Sequence, residues 1–380
     1  MSIVTDPVEN DNPRVVVGGV DTHADVHVAA VIDTVGRELG AESFPTTPAG
    51  YRALMAFIVS FGQVLRLGIE GTGAYGAGLC RAVRDAGLEV VEVDRPDRKA
   101  RRFQGKNDTI DAYAAARAAL SGTACGTPKT RDGNVEMIRV LRVAHTSAIK
   151  ARAVALTQLK AVIKTAPEPL RGQLRELDGV KLIDRCVGLR PTRGPAPTPS
   201  PRAKRPPRPG RLDDPTAATK AALATLARRI RILDDELREL NDDLDILVAE
   251  TAPTLLNLFG VGTDVAGQLL VTAGDNPERL ASSAAFAALC GVSPIPASSG
   301  KTTRHRLNRG GDRRANCALY RITLCRLAHD ERTRAYQHRR AAEQKTNPEI
   351  IRCLKRAIAR EVYRAIREDF KNCPKPLDRP

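Results

Sequence analysis

The chain has 380 residues and a formal net charge of +16, a length that suits two or three domains with buried cores. The positive charge is concentrated at one end, because residues 301–380 hold 22 Lys and Arg against 9 Asp and Glu. So large a local excess of positive charge indicates a polyanionic partner, and nucleic acid is the first candidate. No apolar run approaches the roughly 18 residues that span a bilayer. Eight scattered cysteines form no Cys-x-x-Cys pair, which argues against a zinc site and favours reduced thiols in a cytoplasmic protein.

After a polar tail (1–14), the segment 15–125 holds short apolar, β-branched runs that predict five strands. These lie at 15–21, 26–33, 38–45, 65–70 and 88–94, and helical patterns lie at about 48–61, 74–86 and 107–121. Three strands in quick succession predict an antiparallel meander, and the later alternation of strand and helix predicts a parallel extension covered by helices. The order βββαβαβα is that of the ribonuclease-H-like (RuvC-like) fold.

The middle of the chain predicts a helical arm in two parts, 132–187 and 216–250, on either side of a Pro-rich linker at 188–215. Eight prolines between Arg190 and Gly210 indicate a semi-extended segment without a core. The second part carries apolar residues at steps of three and four: Leu223, Leu226, Ile230, Leu233, Leu237, Leu240, Leu244 and Leu247. This heptad seam predicts a coiled coil, whose partner is either the first part of the arm or a second protomer.

Residues 251–380 predict a mainly helical, basic C-terminal domain. Its stretch LFGVGTDVAGQLLVTAG, from Leu258 to Gly274, has a Gly-x-Gly turn between helical patterns. That pattern is typical of a helix–hairpin–helix element, whose backbone N–H groups meet a phosphate at a helix N-terminus. A plain pair of antiparallel helices fits it equally well. The fold class predicted for the whole chain is therefore α/β followed by α.

Four acidic residues fall at the ends of predicted elements in the N-terminal segment. Asp21 ends the first strand and Glu70 ends the fourth, and these strands are neighbours in a ribonuclease-H-like sheet. The last helix begins beside their ends and carries Asp108 and Asp111, which share a helix face because they are three residues apart. All four carboxylates are therefore expected in one pocket. The alternative for the helical pair is a capping arrangement favoured by the helix dipole.

Four carboxylates in one pocket repel each other unless cations neutralise them, and hard oxygen ligands select Mg²⁺ or Mn²⁺. Two such ions about 3.5–4 Å apart can hold the attacking and leaving oxygens of a phosphodiester. Three glycines around the second acid (Gly68, Gly71 and Gly73) leave room for a nucleic-acid backbone to approach. The pocket is therefore predicted to be a magnesium- or manganese-dependent site that acts on a phosphodiester.

Three stretches at these acids resemble the DEDD motifs of insertion sequence 110 family transposases. They are GGVDTHADVHVAAVID (18–33), GIEGTGAYGAGL (68–79) and KNDTIDAYAAARA (106–118). A fourth stretch, from Ala284 to Leu327, resembles the second signature of that family, a transposase domain with an essential serine. The resemblance covers nearly all of the chain outside the tail and the linker, and its motifs are specific to the family.

The resemblance implies a RuvC-like nuclease domain (15–125), a coiled-coil dimerisation element and a serine-bearing domain (251–380). It implies Asp21, Glu70, Asp108 and Asp111 as metal ligands and Ser299 as the nucleophile. Family members are similar to recombinases guided by a bridge RNA. The implied partners are therefore donor and target DNA, a bridge non-coding RNA, and further copies of the chain in a homodimer or, on DNA, a tetramer. The implied location is the bacterial cytoplasm, at the nucleoid. Ala24 departs from the Lys that the family commonly has, and the linker is longer than usual.

A serine hydroxyl is a weak nucleophile that needs a base, a metal or lowered proton affinity. The run after Ser299 supplies cations that can hold the scissile phosphate: Lys301, Arg304, Arg306, Arg309, Arg313 and Arg314. His305 is a candidate proton shuttle, and Ser298 is the alternative nucleophile. A flexible Ser-Gly turn before a phosphate-binding helix is the alternative role for the segment. His23 and His27 lack a third ligand of their own and are predicted to be structural.

The sequence thus predicts a DNA transposase or recombinase that cuts and rejoins strands through a phosphoserine, with Mg²⁺ or Mn²⁺ in the acidic site. A Holliday-junction resolvase, which would use metal-activated water and leave Ser299 structural, is the alternative within the same class. A catalytically inactive nucleic-acid-binding scaffold is the alternative from another class. Metal-dependent cleavage separates the scaffold from both enzymes, and a protein–DNA adduct separates the recombinase from the resolvase.

Overall fold

The computed structural model describes residues 14–93, 107–124, 126–195, 210–300 and 304–372. Most of the predicted tail, the middle of the Pro-rich linker and Lys301 lie outside these residues. The chain divides into two units, one of residues 1–133 with 273–289 and one of residues 134–272 with 290–378. The segment 273–289, assigned from the sequence to the C-terminal domain, thus belongs to the first unit. Its Asn276 Nδ2 donates to the carbonyl of Pro128 at 3.1 Å, and its Arg279 donates to Glu92 at 2.9 Å.

The first unit is a mixed α/β domain with its elements in the predicted order. They are β1 (Val15–Thr22), β2 (Val26–Asp33), β3 (Glu38–Pro45), α1 (Pro48–Val59), β4 (Gln63–Glu70), α2 (Ala77–Asp85), β5 (Val90–Val93) and α3 (Asp108–Leu120). The sheet has the order β3-β2-β1-β4-β5. Antiparallel pairing joins β1, β2 and β3, and parallel pairing joins β1, β4 and β5. The predicted meander and its parallel extension are both present.

Helices cover both faces of this sheet, which explains why β1 and β2 are nearly continuous apolar runs. On one face, Val20 and Val31 belong to a core that also contains Leu54 of α1 and Leu79 of α2. On the other face, strand residues such as Ile32 pack with the alanines of α3. The two faces thus differ in the helices that cover them, because α1 and α2 contribute large apolar side chains and α3 contributes mainly alanines.

Two glycines allow α3 to lie directly on the sheet. A Cβ atom added at Gly19 of β1 would lie 2.2 Å from the carbonyl oxygen of Ala112, and one at Gly68 of β4 would lie 2.6 Å from that of Ala115. Both obstacles are backbone atoms of a helix, which cannot turn aside as a side chain can. The close approach fixes the start of α3 beside the ends of β1 and β4.

We expect Gly19→Ala to destabilise the first unit by about 1–3 kcal/mol or more, because the new methyl group must push α3 off the sheet. Gly18→Ala is the matched control, since its methyl group points to the other face and meets only side chains of Ile58 and Leu67, at 3.1–3.3 Å. Thermal unfolding of the two variants measures the difference. Equal melting temperatures would contradict the role given to Gly19.

The second unit is mainly helical. Its helices are α4 (Asn134–Lys164), α5 (Glu168–Leu174), α6 (Gly179–Val187), α7 (Pro215–Thr251), α8 (Pro253–Leu256), α9 (Thr263–Ala273, whose last residue is assigned to the first unit), α11 (Arg313–His329), α12 (Glu331–Ala342) and α13 (Asn347–Asn372). Between α9 and α11 lie α10 (Ser283–Leu289), which belongs to the first unit, and a hairpin of β6 (Ile295–Pro296) and β7 (His305–Arg306). The predicted arm 132–187 thus consists of three helices. Among the described helices, none combines the length and apolar character that a membrane span requires.

The two long helices, α4 and α7, pair in an antiparallel arrangement. Asn134 donates to Thr251 at 3.2 Å, His145 Nε2 lies 2.9 Å from Asn241 Oδ1, and Arg152 forms an ion pair with Asp234. The heptad seam of α7 lies against this pairing: Leu223, Ile230 and Leu244 are buried, and the other five seam residues are half-buried. The seam therefore has a partner within its own chain.

The C-terminal helices share a core that depends on α13. This helix buries Ile350, Leu354, Ile358, Val362 and Ile366, and its buried Asp369 accepts hydrogen bonds from Thr254 N and Leu255 N at 2.8 and 3.0 Å. The predicted Gly-x-Gly turn joins α8 to α9, with Gly260 at φ +81°, a conformation that favours glycine. Removing the C-terminal segment would therefore expose the core as well as remove charge.

Candidate functional site

The ends of β1 and α3 bring two aspartates and a histidine together. His23 Nε2 lies 3.2 Å from Asp21 Oδ2 and 3.4 Å from Asp108 Oδ1. One ligand atom from each of the three side chains lies within 4.8 Å of the others, an arrangement that can hold a metal ion. Asp21 is buried, whereas His23 and Asp108 are partly exposed. The cluster therefore opens to solvent on the helix side.

The helix cap at the start of α3 is Asn107, not one of the two aspartates. Its side-chain oxygen accepts a hydrogen bond from Thr109 N at 3.0 Å, which is the usual role of a capping residue. Asp108 and Asp111 occupy the first turn of the helix, where the dipole favours negative charge. The capping alternative for these aspartates thus loses its main support.

Glu70 and Asp111 lie near this cluster but outside the group of three. Residues two apart on a strand share a face, so Glu70 is on the same face as Gly68, the face that α3 covers. Thr22, next to Asp21, donates to the backbone carbonyl of Glu70 at 2.9 Å, which ties the ends of β1 and β4 together. Of the four predicted acids, Asp21 and Asp108 thus contact His23. Glu70 lies at the end of the adjoining strand β4, and Asp111 lies in the first turn of α3.

The pKa of Asp21 is raised above its ordinary value. Burial is the largest cause, the charges of Asp111 and Asp108 raise it further, and His23 opposes them. A carboxyl group whose pKa is raised by burial and by neighbouring carboxylates is characteristic of a site that holds a cation or a proton. The electrostatics therefore link Asp111 to the cluster even though its carboxylate lies outside the group of three.

Ser299 lies in the connection of the β6–β7 hairpin and is exposed, as is Ser298. Pro296 pairs with His305, and Ala297 N donates to the carbonyl of Arg304 at 2.8 Å. The pairing therefore places Arg304 across the hairpin from Ala297. Ala297 precedes Ser299 by two residues in the chain. His305, the candidate proton shuttle, is exposed on β7.

The other candidate phosphate-binding residues that the structure describes are all exposed: Arg304, Arg306, Arg309, Arg313 and Arg314. Within the described ranges, none of these five forms an ion pair. Two of them begin α11, whose N-terminal N–H groups are taken by Asp312, with its Oδ1 atom 2.7 Å from Arg314 N. A phosphate here would consequently meet guanidinium groups and not a free helix N-terminus.

Two family models match the chain. Residues 18–166 match the model of the DEDD transposases of IS110 type, described as "Transposase", and residues 252–338 match the model described as "Transposase IS116/IS110/IS902 family". Together the two segments cover more than half of the 380 residues. The chain belongs to the IS110 family of transposases.

Two curated relatives of this IS110-family protein are products of insertion elements. The "Insertion element IS900 uncharacterized 42 kDa protein" of Mycobacterium paratuberculosis is 26% identical over 153 residues, which are 38% of this chain and 37% of the relative. The "Insertion element IS110 uncharacterized 43.6 kDa protein" of Streptomyces coelicolor (strain ATCC BAA-471 / A3(2) / M145) is 26% identical over 156 residues, 40% of this chain and 38% of the relative. The matches thus span less than two fifths of either relative.

In this IS110-family chain, the four predicted acids fall within the first matched segment and Ser299 within the second. His23 is the residue that sequence reasoning missed. The signal for it in the sequence is its position two residues after Asp21, just beyond the end of β1. His27 is fully buried and stacks on Tyr51, with ring centroids 5.7 Å apart, in agreement with a structural role.

Proposed function

We propose that this protein is a DNA transposase that cuts and rejoins strands of a mobile element through a phosphoserine at Ser299. In this proposal Asp21, Glu70, Asp108 and Asp111 hold Mg²⁺ or Mn²⁺, and donor and target DNA are the substrates. The observation that carries it is the cluster of Asp21, at the end of β1, with His23 and with Asp108, at the start of α3. Guidance by a bridge RNA is part of the proposal and rests on the family resemblance. Its test is binding of an RNA transcribed from the flank of the element.

The strand order supports assigning the first unit to the RuvC-like fold. A sheet of order β3-β2-β1-β4-β5, with three antiparallel strands extended by two parallel ones, is the arrangement expected from βββαβαβα. Such folds place functional residues at the ends of neighbouring parallel strands. Asp21 and Glu70 occupy those ends on β1 and β4.

The donor set fits a divalent cation. Carboxylate oxygens are the preferred ligands of Mg²⁺ and Mn²⁺. Burial, and after it the charges of Asp111 and Asp108, raises the pKa of Asp21, and a bound cation would favour the ionised form of these carboxyl groups. His23 adds an imidazole nitrogen, which Mn²⁺ accepts more readily than Mg²⁺. When bound, the cation would polarise a phosphodiester and lower the pKa of an attacking hydroxyl. The chain's own contribution is to hold the carboxylates at fixed positions, through the packing of α3 on Gly19 and Gly68.

In the proposed reaction, the Oγ atom of Ser299 attacks the scissile phosphorus, and its proton passes to the departing DNA oxygen. The phosphodiester bond is replaced by a phosphoserine bond of similar energy. A hydroxyl of the second strand then attacks that phosphorus, which restores the serine and rejoins the DNA without ATP. Arg304 and Arg306, on the same hairpin, would stabilise the charge on the phosphorane.

A metal-dependent resolvase is the second candidate, because Ser299 is exposed and has no hydrogen-bond partner among the described residues. A serine nucleophile requires activation, whereas hydrolysis by metal-bound water does not use it. Incubation with DNA of the element's ends, with and without Mg²⁺, separates the two functions. A denaturant-resistant protein–DNA adduct supports the transposase, and cleavage without an adduct supports the resolvase.

The exposed arginines provide a test of DNA binding that leaves the core intact. We expect the triple variant Arg309→Gln, Arg313→Gln, Arg314→Gln to weaken duplex binding and to reduce the slope of log K against log salt by about 0.9 for each lost phosphate contact. Fluorescence anisotropy over a salt series measures this. The control replaces three exposed arginines elsewhere: Arg228, Arg229 and Arg238 of α7. An unchanged slope in the first variant would show that these arginines do not contact DNA.

Self-association is proposed through an apolar strip on the paired helices α4 and α7. Val140 of α4 and Ile246 of α7 are 53% and 60% exposed, and both line one groove with Met137 and Leu247. We expect Val140→Glu with Ile246→Glu to give monomers in light scattering at an unchanged melting temperature, since neither residue is buried in the chain. Val180→Glu with Ile232→Glu is the control, because these residues are similarly exposed outside the groove. Dimers in the first variant would contradict the proposal.

A further inference from the structure

A cavity of about 720 Å³ in the second unit is lined by residues 291–294, by β7 and its flanking residues, by the end of α12 with the turn after it, and by the first half of α13. Among the lining residues that the structure describes, eight are Arg or Lys and two are Glu. Such an excess of cations in a concave site attracts an anion. Most of these cations lie on α12 and α13, beyond the run that follows Ser299.

The innermost cation is Lys355, which is only 7% exposed. Its Nζ atom donates to Asn316 Oδ1 at 2.7 Å, and Asn316 is fixed in turn by hydrogen bonds of 3.0 Å to the carbonyls of Cys290 and Gly291. Its pKa is lowered, first by burial and then by the charge of Arg352. Among the described residues, Lys355 has no carboxylate partner, and a buried ammonium group without one is costly to fold. A bound anion would offset this cost.

A second cation, Arg356, is also incompletely satisfied. Its Nη1 atom is buried and has no hydrogen-bond partner among the described residues, and burial and Arg360 lower its pKa. The two glutamates of the cavity are already engaged. Glu343 pairs with Arg340, and Glu349 accepts hydrogen bonds from Thr346 N and Oγ1 at 2.9 and 2.8 Å. Neither is hydrogen-bonded to Lys355 or Arg356.

Part of the cavity wall is apolar and is formed by Val292, Pro294 and Leu307. A volume of this size lies within the range of about 300–1,000 Å³ that is usual for small-molecule sites, and it exceeds what a lone phosphate requires. A cavity lined by many cations and by a few apolar groups matches the two halves of a nucleotide. A base within a duplex is stacked and paired, whereas an unpaired base is free to enter.

We propose that this cavity binds an unpaired nucleotide of a nucleic-acid strand, with its phosphate at Lys355 and Arg356 and its base against the apolar wall. The proposal deepens the nucleic-acid-binding function proposed above and rests on it. It assigns to α13 a contact with single-stranded DNA or RNA that is separate from duplex binding by the exposed arginines.

The test compares a fluorescein-labelled single-stranded oligonucleotide with the same sequence as a duplex, using the full chain. Lys355→Gln and Arg356→Gln should each weaken single-strand binding by about tenfold, because each removes a charged hydrogen bond to phosphate. Arg364→Gln is the matched control, since it removes the same charge from an exposed position of α13 outside the cavity. Duplex binding should change no more in the cavity variants than in this control.

A second readout uses the unaltered protein, so it does not depend on whether a variant folds. Cys353 lines the cavity, whereas Cys325, also half-buried, lies beside Gly260. A single-stranded oligonucleotide should protect Cys353, but not Cys325, from alkylation by iodoacetamide, as read by peptide mass spectrometry. Equal alkylation with and without oligonucleotide, or protection by an acidic peptide instead, would overturn the proposal.

The outcomes also separate this proposal from the function on which it rests. If the unaltered protein binds duplex but the cavity variants match Arg364→Gln on the single strand, the cavity proposal fails and DNA binding stands. If the unaltered protein binds neither nucleic acid, both proposals fail. RNA and DNA single strands of the same sequence, compared side by side, identify which of the two supplies the nucleotide.

Discussion

Replacing Ser299 by Ala is expected to abolish both the covalent adduct with DNA and strand exchange. The substitution removes one oxygen atom from an exposed position in the hairpin connection, so the fold, duplex binding and oligomeric state should not change. Without the Oγ atom no phosphoserine forms. The energy of the broken phosphodiester is then not conserved in a covalent bond, so the strands cannot be rejoined. Denaturing gel electrophoresis of labelled DNA measures the adduct and the exchanged strands together.

Ser298→Ala is the matched control, because the two serines are adjacent and equally exposed in the same connection. It should retain much of the activity. The reverse pattern would move the nucleophile by one residue. Normal cleavage without an adduct in both variants would instead favour the resolvase, in which water attacks and the serine has no chemical role.

The sheet of the first unit was predictable because its sequence signals are local. Strands such as Val26–Asp33 and helices such as Pro48–Val59 are continuous apolar or periodic runs bounded by turns. The direction of each pairing followed from the length of its connection, since short links require antiparallel neighbours and helical links permit parallel ones. The positions of Asp21 and Glu70 at adjoining strand ends followed from that topology.

Features that depend on distant segments were not predictable in the same way. The heptad seam of α7 does not encode its partner, and only the contacts with α4, such as His145 with Asn241, supply it. The cavity around Lys355 combines residues from β7, α12 and α13, and no local pattern joins them. The helical pattern from residue 107 did not identify Asn107 as the cap, and this cap leaves both aspartates of the first turn available for other roles.

Replacing Asp108 by Asn is expected to stabilise the metal-free protein and to abolish its response to metal. Asp21 has a raised pKa in the folded state, for which burial is the main cause and Asp111 and Asp108 contribute. The folded protein thus holds a proton more tightly than the unfolded chain, and its stability falls as the pH rises above the ordinary value of 3.8. At neutral pH the charges of Asp111 and Asp108 add to the cost that burial places on Asp21, so removing one of them should raise the melting temperature of the metal-free protein.

The same variant should lose the benefit of Mg²⁺ or Mn²⁺. A ligand that binds only the folded state, at a hundred times its Kd, stabilises by about 2.7 kcal/mol, so the unaltered protein should melt at a higher temperature with metal. Asp108→Asn and Asp111→Asn should show little of this shift, and strand cleavage should fall on the order of a thousandfold, because several kcal/mol of transition-state stabilisation depend on the cation.

Asp25→Asn is the matched control, since it removes the same charge from an exposed position in the same loop as His23. It should leave both the metal-induced shift and cleavage unchanged. His23→Gln adds a second readout, because the hyperfine coupling of an imidazole nitrogen to bound Mn²⁺ should disappear from the electron spin-echo spectrum. If the Asp108 and Asp111 variants keep the metal-induced shift and full cleavage, the acids act only on the helix dipole, and the reaction must take place elsewhere in the chain.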